Sequence, residues 1–206
     1  MSLKTIKLCF DKPVHFGNKR LGESGFTISS DTLFSALFIE AIQLNLDTDF
    51  LLEDLLISDT FPFKDNTLFL PKPMIHIKSD KEDLTDKKLF KKLKFIPVDM
   101  FKQYLYGDCN GDDVRDFIDW LDIGTTSTIT KVALESIEAK QIGNSQPYNV
   151  GIHSYSDDSG IYFLAKGNQE TFSKLSMLLE SLQHAGLGGK RKSGYGKFSF
   201  EMYEDE

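Results

Sequence analysis

Residues 186–198, Gly-Leu-Gly-Gly-Lys-Arg-Lys-Ser-Gly-Tyr-Gly-Lys-Phe, join a helical pattern to a strand pattern. Apolar side chains recur at spacings of three and four over residues 169–185, which predicts an amphipathic helix with Gly186 at its C-terminal end. Apolar and polar residues alternate over 198–203, which predicts a strand. The quoted stretch therefore connects the last predicted helix to the last predicted strand, and residues 186–197 are called the glycine loop below.

Outward from the glycine loop, the spacing of apolar residues predicts further elements: a strand over 6–10, a loop over 13–25, a helix over 31–45, strands near 56–63 and 67–77, and strands over 148–155 and 160–165 joined as a hairpin. Residues 79–145 are interpreted as an insertion or subdomain, with extended structure over 125–141. Without that insertion the order is β-α-β-β-α-β. This order predicts an α+β, ferredoxin-like (RRM-type) core within a single domain, 1–206, in which two helices cover one face of an antiparallel sheet.

Composition and charge restrict the class of protein. The chain has 206 residues, of which 40% are apolar, so it can build a core. It has only two cysteines and lacks both a bilayer-length apolar segment and a secretory signal pattern, so we expect a cytoplasmic protein with reduced thiols and no membrane partner. The net charge is −7, yet the glycine loop carries +4, which leaves −11 on the remainder. One positive loop on an acidic body points to a local anionic ligand.

The glycine loop has the composition of a nucleic-acid contact. Five of the 15 glycines lie within it, and glycine lets backbone amides approach an anion. Lys190, Arg191 and Lys192 can bind phosphate, and Tyr195 can stack on a base. The stretch lacks Gly-Lys-Ser/Thr and follows a helix, which excludes both a P-loop and a Rossmann turn. The plainer alternative is a flexible connection with solvated lysines.

This loop resembles the C-terminal glycine-rich motif of the RAMP (repeat-associated) superfamily of CRISPR proteins, which implies ferredoxin-like domains with the loop between the second helix and the last strand. Further stretches narrow the resemblance to the family of the fourth subunit of the type III-A (Csm) effector complex. These stretches are residues 13–17, 30–37, 91–97 and 147–151. Members of that family usually continue into a second ferredoxin-like domain, which we expect to be absent here.

The resemblance implies a non-catalytic RNA-binding subunit in antiviral defence. Such a subunit holds the 5′ handle of the CRISPR RNA and contacts the large polymerase-like subunit and the backbone RAMP subunit of the complex. The expected RNA-binding residues are Gly188, Gly189, Lys190, Arg191, Lys192, Ser193, Gly194, Tyr195 and Gly196 of the glycine loop, together with His15, Lys19, Arg20 and Ser30.

Two other functions stay open at this point. RAMP endoribonucleases that cut precursor CRISPR RNA often use a histidine near the first helix, so His15 can be a general acid or base if Lys19, Arg20 or Tyr195 converges on it. Alternatively, the acidic surface serves mainly to dock other subunits. No H-x-H or H-E-x-x-H spacing occurs, and we expect neither a metal site nor a cofactor.

Overall fold

The computed structural model describes residues 1–75, 84–132 and 147–204. The strands in this part of the chain are β1 (Ser2–Phe10), β2 (Phe16–Asn18), β3 (Arg20–Gly25), β4 (Leu56–Ile57), β5 (Phe61–Lys64), β6 (Thr67–Pro71), β7 (Phe95–Pro97), β8 (Gly124–Val132), β9 (Pro147–Tyr155), β10 (Ser159–Gly167) and β11 (Phe198–Glu204). The α-helices are α1 (Ser30–Gln43), α2 (Asp49–Glu53), α3 (Leu84–Lys92), α4 (Phe101–Tyr106), α5 (Gly111–Trp120) and α6 (Gln169–Ala185).

The main sheet has the strand order β11-β1-β10-β5-β6-β7, and β4 pairs with β10. Its neighbouring strands are antiparallel: Ile6 on β1, for example, lies opposite Phe163 on one side and Met202 on the other. The four strands β11-β1-β10-β5, with α1 after β1 and α6 after β10, form the ferredoxin-like arrangement. The predicted α+β fold class is therefore confirmed.

Helices α1 and α6 bury their apolar sides against one face of the main sheet. Ile6 and Leu8 of β1 point toward the helices because successive strand residues face opposite sides. Leu33 and Leu37, one helical turn apart on α1, belong to the same buried core as Leu178 of α6, and the two helices are in contact. This packing explains why the apolar spacing of both helices was informative from sequence.

Helix α6 has the predicted bounds because both of its ends carry sequence-encoded caps. The Asn168 side chain accepts a hydrogen bond from the Thr171 amide at 2.9 Å. At the other end, Gly186 adopts φ +85° and its amide donates to the Leu182 carbonyl at 2.7 Å. The glycine loop therefore leaves the core at a defined point.

The predicted hairpin over residues 148–165 is wrong in its pairing. The strands β9 and β10 both exist, but β9 pairs with β8, whereas β10 pairs with β1, β4 and β5. The turn between them bonds to the segment before β8: the Ser156 hydroxyl donates to the Asp122 carbonyl, and the Ser159 hydroxyl to the Ile123 carbonyl, at 2.9 and 3.1 Å. The turn thus directs the chain from one sheet into another.

Residues 13–25 contain the hairpin β2–β3, where the sequence predicted a loop. The hairpin is irregular, with a register shift between Gly17 and Asn18, so no alternation of apolar residues marks it. It packs against β9, and a Cβ at Gly151 would lie 2.6 Å from the Gly22 carbonyl oxygen. The glycine at this position permits the close approach of the two sheets.

Residues 79–145 are only partly described, because 76–83 and 133–146 fall outside the described ranges. The ends of the predicted strands over 67–77 and 125–141 lie in those gaps. Within the described part, β7 extends the main sheet beside β6, and β8 pairs with β9. A second apolar cluster, centred on Ile96, Val114 and Phe117, packs α5 near β7. That these residues form an insertion stays a prediction. None of the described helices has the length and apolar character to cross a membrane.

Candidate nucleic-acid interface

The base of the glycine loop is closed by backbone hydrogen bonds. The Leu187 amide donates to the Gly196 carbonyl at 2.8 Å, and the Gly196 amide donates to the Pro13 carbonyl at 3.0 Å. Leu187 itself is buried, and Gly196 adopts φ +74°. The loop is therefore anchored to the segment that follows β1, which is why two distant parts of the sequence share one surface.

The tip of the glycine loop is a short 3-10 turn, Arg191–Ser193. The Ser193 amide donates to the Lys190 carbonyl at 2.8 Å, and the Gly194 amide to the Arg191 carbonyl at 2.9 Å. Several loop amides thus maintain the loop's own conformation and are not free to bind an anion. The side chains of Arg191 and Lys192 are exposed. Phosphate binding at the tip therefore depends chiefly on side-chain charge.

A cleft of about 580 Å³ lies between the glycine loop, the β2–β3 hairpin and the start of α1. Gly188, Gly189 and Arg191 line one wall. The other walls contain His15 and Gly17 near β2, and Thr27, Ser29, Thr32 and Ser35 at and before the start of α1. Clefts of this size hold small organic groups, and this one combines a guanidinium with hydroxyl groups. It suits a sugar-phosphate ligand.

His15 links three elements at the bottom of this cleft. Its backbone carbonyl accepts a hydrogen bond from the Gly189 amide at 2.9 Å. Its Nδ1 atom donates to the Gly151 carbonyl of β9 at 2.6 Å. Only 7% of the residue is exposed. His15 therefore fixes the position of the glycine loop relative to β9.

The N-terminus of α1 is already capped by acidic side chains. The Ser30 amide donates to Asp59 Oδ1 at 2.7 Å, and the Thr32 amide donates to Asp31 Oδ1 at 2.9 Å. The Ser29 hydroxyl and the Thr32 amide hold the pKa of the Asp31 carboxyl below its usual range. Amides at this helix end are thus engaged by carboxylates, and Ser30 is not among the residues that line the cleft.

The other predicted basic and aromatic residues point to different surfaces. Lys19 and Arg20 are exposed at the turn of the β2–β3 hairpin and do not line the cleft. Tyr195 and Lys190 instead face the β8–β9 sheet through two cation–π contacts. The Lys131 ammonium lies 4.3 Å from the Tyr195 ring centre, and the Lys190 ammonium lies 4.9 Å from that of Tyr148.

The structure therefore divides the predicted site residues. His15, Gly188, Gly189 and Arg191 meet at the cleft, whereas Lys192, Ser193 and Gly194 stand at the loop tip. Sequence reasoning missed Lys131 and Tyr148, whose contacts depend on strand pairing. It also missed the hydroxyl groups at the start of α1. Their recurrence at positions 29, 32 and 35, on one side of a predicted helix, was the available signal.

Comparison with known proteins finds relatives that match nearly the whole chain. The chain is 33% identical over 214 residues to the CRISPR system Cms protein Csm4 of Streptococcus thermophilus, a match that covers 98% of this chain and 64% of that protein. It is 28% identical over 213 residues to Csm4 of Mycobacterium tuberculosis, covering 99% of this chain and 66% of that protein. This chain is similar in sequence to these Csm4 proteins. It spans just under two thirds of the length of these curated Csm4 relatives, and no family model matches it.

Solved structures agree on the fold. A chain in the crystal structure of a Csm1–Csm4 cassette in complex with cA4 matches all of this chain and 71% of its own length, with a TM-score of 0.60 and 17% identity. A chain of the Csm3–Csm4 subcomplex of the type III-A interference complex matches all of this chain and 70% of its own length, with a TM-score of 0.60 and 18% identity. The described part of this chain therefore shares its fold with these solved chains.

Proposed function

We propose that this chain is a non-catalytic RNA-binding subunit of a type III-A CRISPR interference complex. It grips the 5′ handle of the CRISPR RNA through the glycine loop and the adjoining cleft. The observation that carries this proposal is the position of Arg191 in the lining of the cleft, with the exposed Lys192 at the loop tip, on a chain whose remaining residues are net acidic. Phosphates are attracted to that surface in preference to the rest of the protein.

Partners are part of the same proposal. Related chains were solved in complexes of Csm1 with Csm4 and of Csm3 with Csm4. We expect this chain to contact the corresponding large polymerase-like subunit and backbone RAMP subunit. The acidic surface outside the glycine loop repels RNA and is available for protein contacts.

The absence of catalysis is also proposed, on the position of the groups that a nuclease would need. Lys19, Arg20 and Tyr195 do not line the cleft that His15 lines. A cleaving site needs groups that activate the 2′-hydroxyl and stabilise the phosphorane close to the histidine. The spread of these side chains over three surfaces favours binding without cleavage.

A salt titration of RNA binding tests the proposal. If about four phosphates are paired, affinity for labelled RNA with a repeat-derived 5′ handle falls with a log–log slope near −3. Simultaneous replacement of Lys190, Arg191 and Lys192 by alanine reduces the slope to about −1. The same samples on a denaturing gel contain intact RNA, and cut RNA would instead support the endoribonuclease.

The matched control removes three exposed lysines at the end of α3. Lys91→Ala, Lys92→Ala and Lys94→Ala together make the same change in net charge at residues that do not line the cleft. This control keeps the wild-type slope if the glycine loop is the contact. Equal loss of slope in both triple variants would contradict a local contact at the loop.

A further inference from the structure

The two ring nitrogens of His15, Nδ1 and Nε2, differ in their hydrogen bonding within the described part of the chain. Because a carbonyl oxygen can only accept, the 2.6 Å contact with Gly151 requires the proton on Nδ1. In the neutral ring, Nε2 is then an acceptor with a free lone pair. Among the described residues, Nε2 has no hydrogen-bond partner. His15 is 7% exposed, and its Nε2 is not among the fully buried side-chain atoms without a partner, so this acceptor is open to the cleft and available to a ligand there.

Glycines border the edge of the ring that carries Nε2. A Cβ at Gly17 would lie 3.8 Å from Nε2, and a Cβ at Gly189 would lie 2.6 Å from Cδ2 of the same ring. Gly17 and Gly189 both line the cleft, as His15 does. Because glycine has no side chain, this edge of the imidazole is accessible from the cleft, although the residue is only 7% exposed. A donor in the cleft can therefore reach Nε2.

The residues that line the cleft indicate which kind of hydrogen-bond donor reaches Nε2 of His15. Arg191 lines the same cleft, and because a guanidinium pairs well with phosphate oxygens, it favours a sugar-phosphate backbone over base edges against this wall. The donor that lies next to the phosphate in an RNA backbone is the ribose 2′-hydroxyl, which DNA lacks.

We infer that Nε2 of His15 accepts a hydrogen bond from one ribose 2′-hydroxyl of the bound RNA. His15 is then a specificity residue that selects RNA over DNA at a single nucleotide. This inference rests on the proposed function, because it requires RNA in the cleft. It adds the chemical group that is read, the atom that reads it, and a reason for the glycines at positions 17 and 189.

The test scans the 2′-position along the handle. The probes are the all-ribose handle RNA and a set with a single 2′-deoxy or 2′-fluoro substitution at each handle nucleotide. We expect one position at which either substitution weakens wild-type binding about tenfold, the value of one hydrogen bond. The 2′-fluoro group keeps the sugar pucker of RNA but cannot donate, so equal losses for both substitutions assign the effect to donation.

Variants assign the effect to His15. His15→Asn can keep a donor near the Gly151 carbonyl but lacks an acceptor at the position of Nε2. Its affinity for the all-ribose RNA falls about tenfold, and the 2′-deoxy substitution then has no further effect. Gly189→Ala crowds the ring and should abolish the same discrimination. His184→Asn, at an exposed histidine in the last turn of α6, is the matched control and keeps the wild-type scan.

Each other outcome counts against the inference in a distinct way. RNA binding with no sensitive position overturns the role of His15 and leaves the proposed function intact. A sensitive position that persists in His15→Asn assigns the hydroxyl to another residue and also overturns it. Failure of the wild-type chain to bind the all-ribose RNA at low salt overturns the proposed function and this inference with it.

Discussion

Two buried histidines lie side by side and face opposite environments. Val14 exchanges backbone hydrogen bonds with His153 of β9, at 2.8 and 2.9 Å. His15 is the next residue after Val14 in the chain. His15 is 7% exposed and His153 is 2% exposed. Their burial is similar, and the difference lies in what surrounds each ring.

His15 is bordered by glycines at an open cleft, whereas His153 is bordered by aromatic rings. The His153 ring centre lies 4.7 Å from that of Tyr155 and 5.8 Å from that of Phe26. Its Nδ1 atom lies 3.0 Å from the Thr126 hydroxyl, while Nε2 is buried without a hydrogen-bond partner of normal geometry in the described chain. Burial lowers the pKa of His153, and the backbone of Ile123 opposes this in part. The neighbours of a histidine, more than its depth, decide between ligand contact and core packing.

The largest loss of stability is expected from a substitution at the base of the glycine loop. A Cβ at Gly196 would lie 2.0 Å from the Leu187 carbonyl oxygen, and the residue adopts φ +74°. Gly196→Ala therefore strains the backbone and opens the base of the loop, which should lower the free energy of unfolding by about 4 kcal/mol. Urea denaturation followed by circular dichroism measures this loss.

The control for that variant is Gly194→Ala. Gly194 adopts φ +81°, but nothing lies within 4 Å of its hypothetical Cβ. Only the backbone penalty remains, so the expected loss is about 1 kcal/mol. Equal losses at both glycines would mean that close packing at the loop base contributes nothing.

An intermediate effect is expected from His15 itself. His15→Leu fills the space but leaves the Gly151 carbonyl without its donor, which should lower the free energy of unfolding by about 2 kcal/mol. His15→Asn can supply a donor and should lose less than half of that. The same denaturation experiment compares the two variants, and an equally unstable pair would argue against the Nδ1 contact as the stabilising one.

The smallest effect is the pH dependence that comes from His153. Because the folded-state pKa lies below the ordinary value of 6.5, the neutral ring stabilises the fold fully above pH 6.5. That contribution is lost as the pH falls below 6.5 toward the folded-state pKa. His153→Phe should therefore reduce the loss of stability as the pH falls from about 7 to about 5.

Denaturant titrations at several pH values measure this difference. His184→Phe, at an exposed histidine, provides the comparison. If the pH dependence of stability is unchanged in His153→Phe, burial beside Tyr155 and Phe26 does not disfavour the charged form of His153.

The sequence predicted elements well where the signal was local. The bounds of α6 follow from an Asn168 cap, a regular apolar face and a terminal Gly186, all within nineteen residues. The order β-α-β-β-α-β then predicted the ferredoxin-like core. The irregular hairpin β2–β3 was missed because its register shift removes the alternation that marks a strand.

Which strands pair with each other was harder to predict than where the strands lie in the sequence. The Asp-Asp-Ser-Gly sequence that leads into β10 has a hairpin composition, yet β9 pairs with β8, which precedes it in the chain, in a register that runs from Val132 opposite Pro147 to Gly124 opposite Tyr155. Turn composition reports a local change of direction. It does not report which strand supplies the hydrogen-bond partners, since that depends on packing across the whole chain.

At the candidate site, too, local features were predicted from the sequence and long-range contacts were not. From composition alone, the glycine loop and its four positive charges predicted a nucleic-acid contact, which stays a prediction. That Arg191 and His15 share a cleft, that Lys19 and Arg20 lie elsewhere, and that Lys190 faces Tyr148 were not. These facts depend on contacts between residues far apart in sequence.

By itself, the sequence determined the core fold, the position of the glycine loop between α6 and β11, and the charge contrast between that loop and the rest of the chain. Periodicity, caps and charge are properties of neighbouring residues, so they can be read along the chain. Only the tertiary structure decided which histidine faces the cleft and which nitrogen stays unpaired. A hydrogen bond between His15 and Gly151 spans 136 residues, and its geometry exists only once the sheets have packed together.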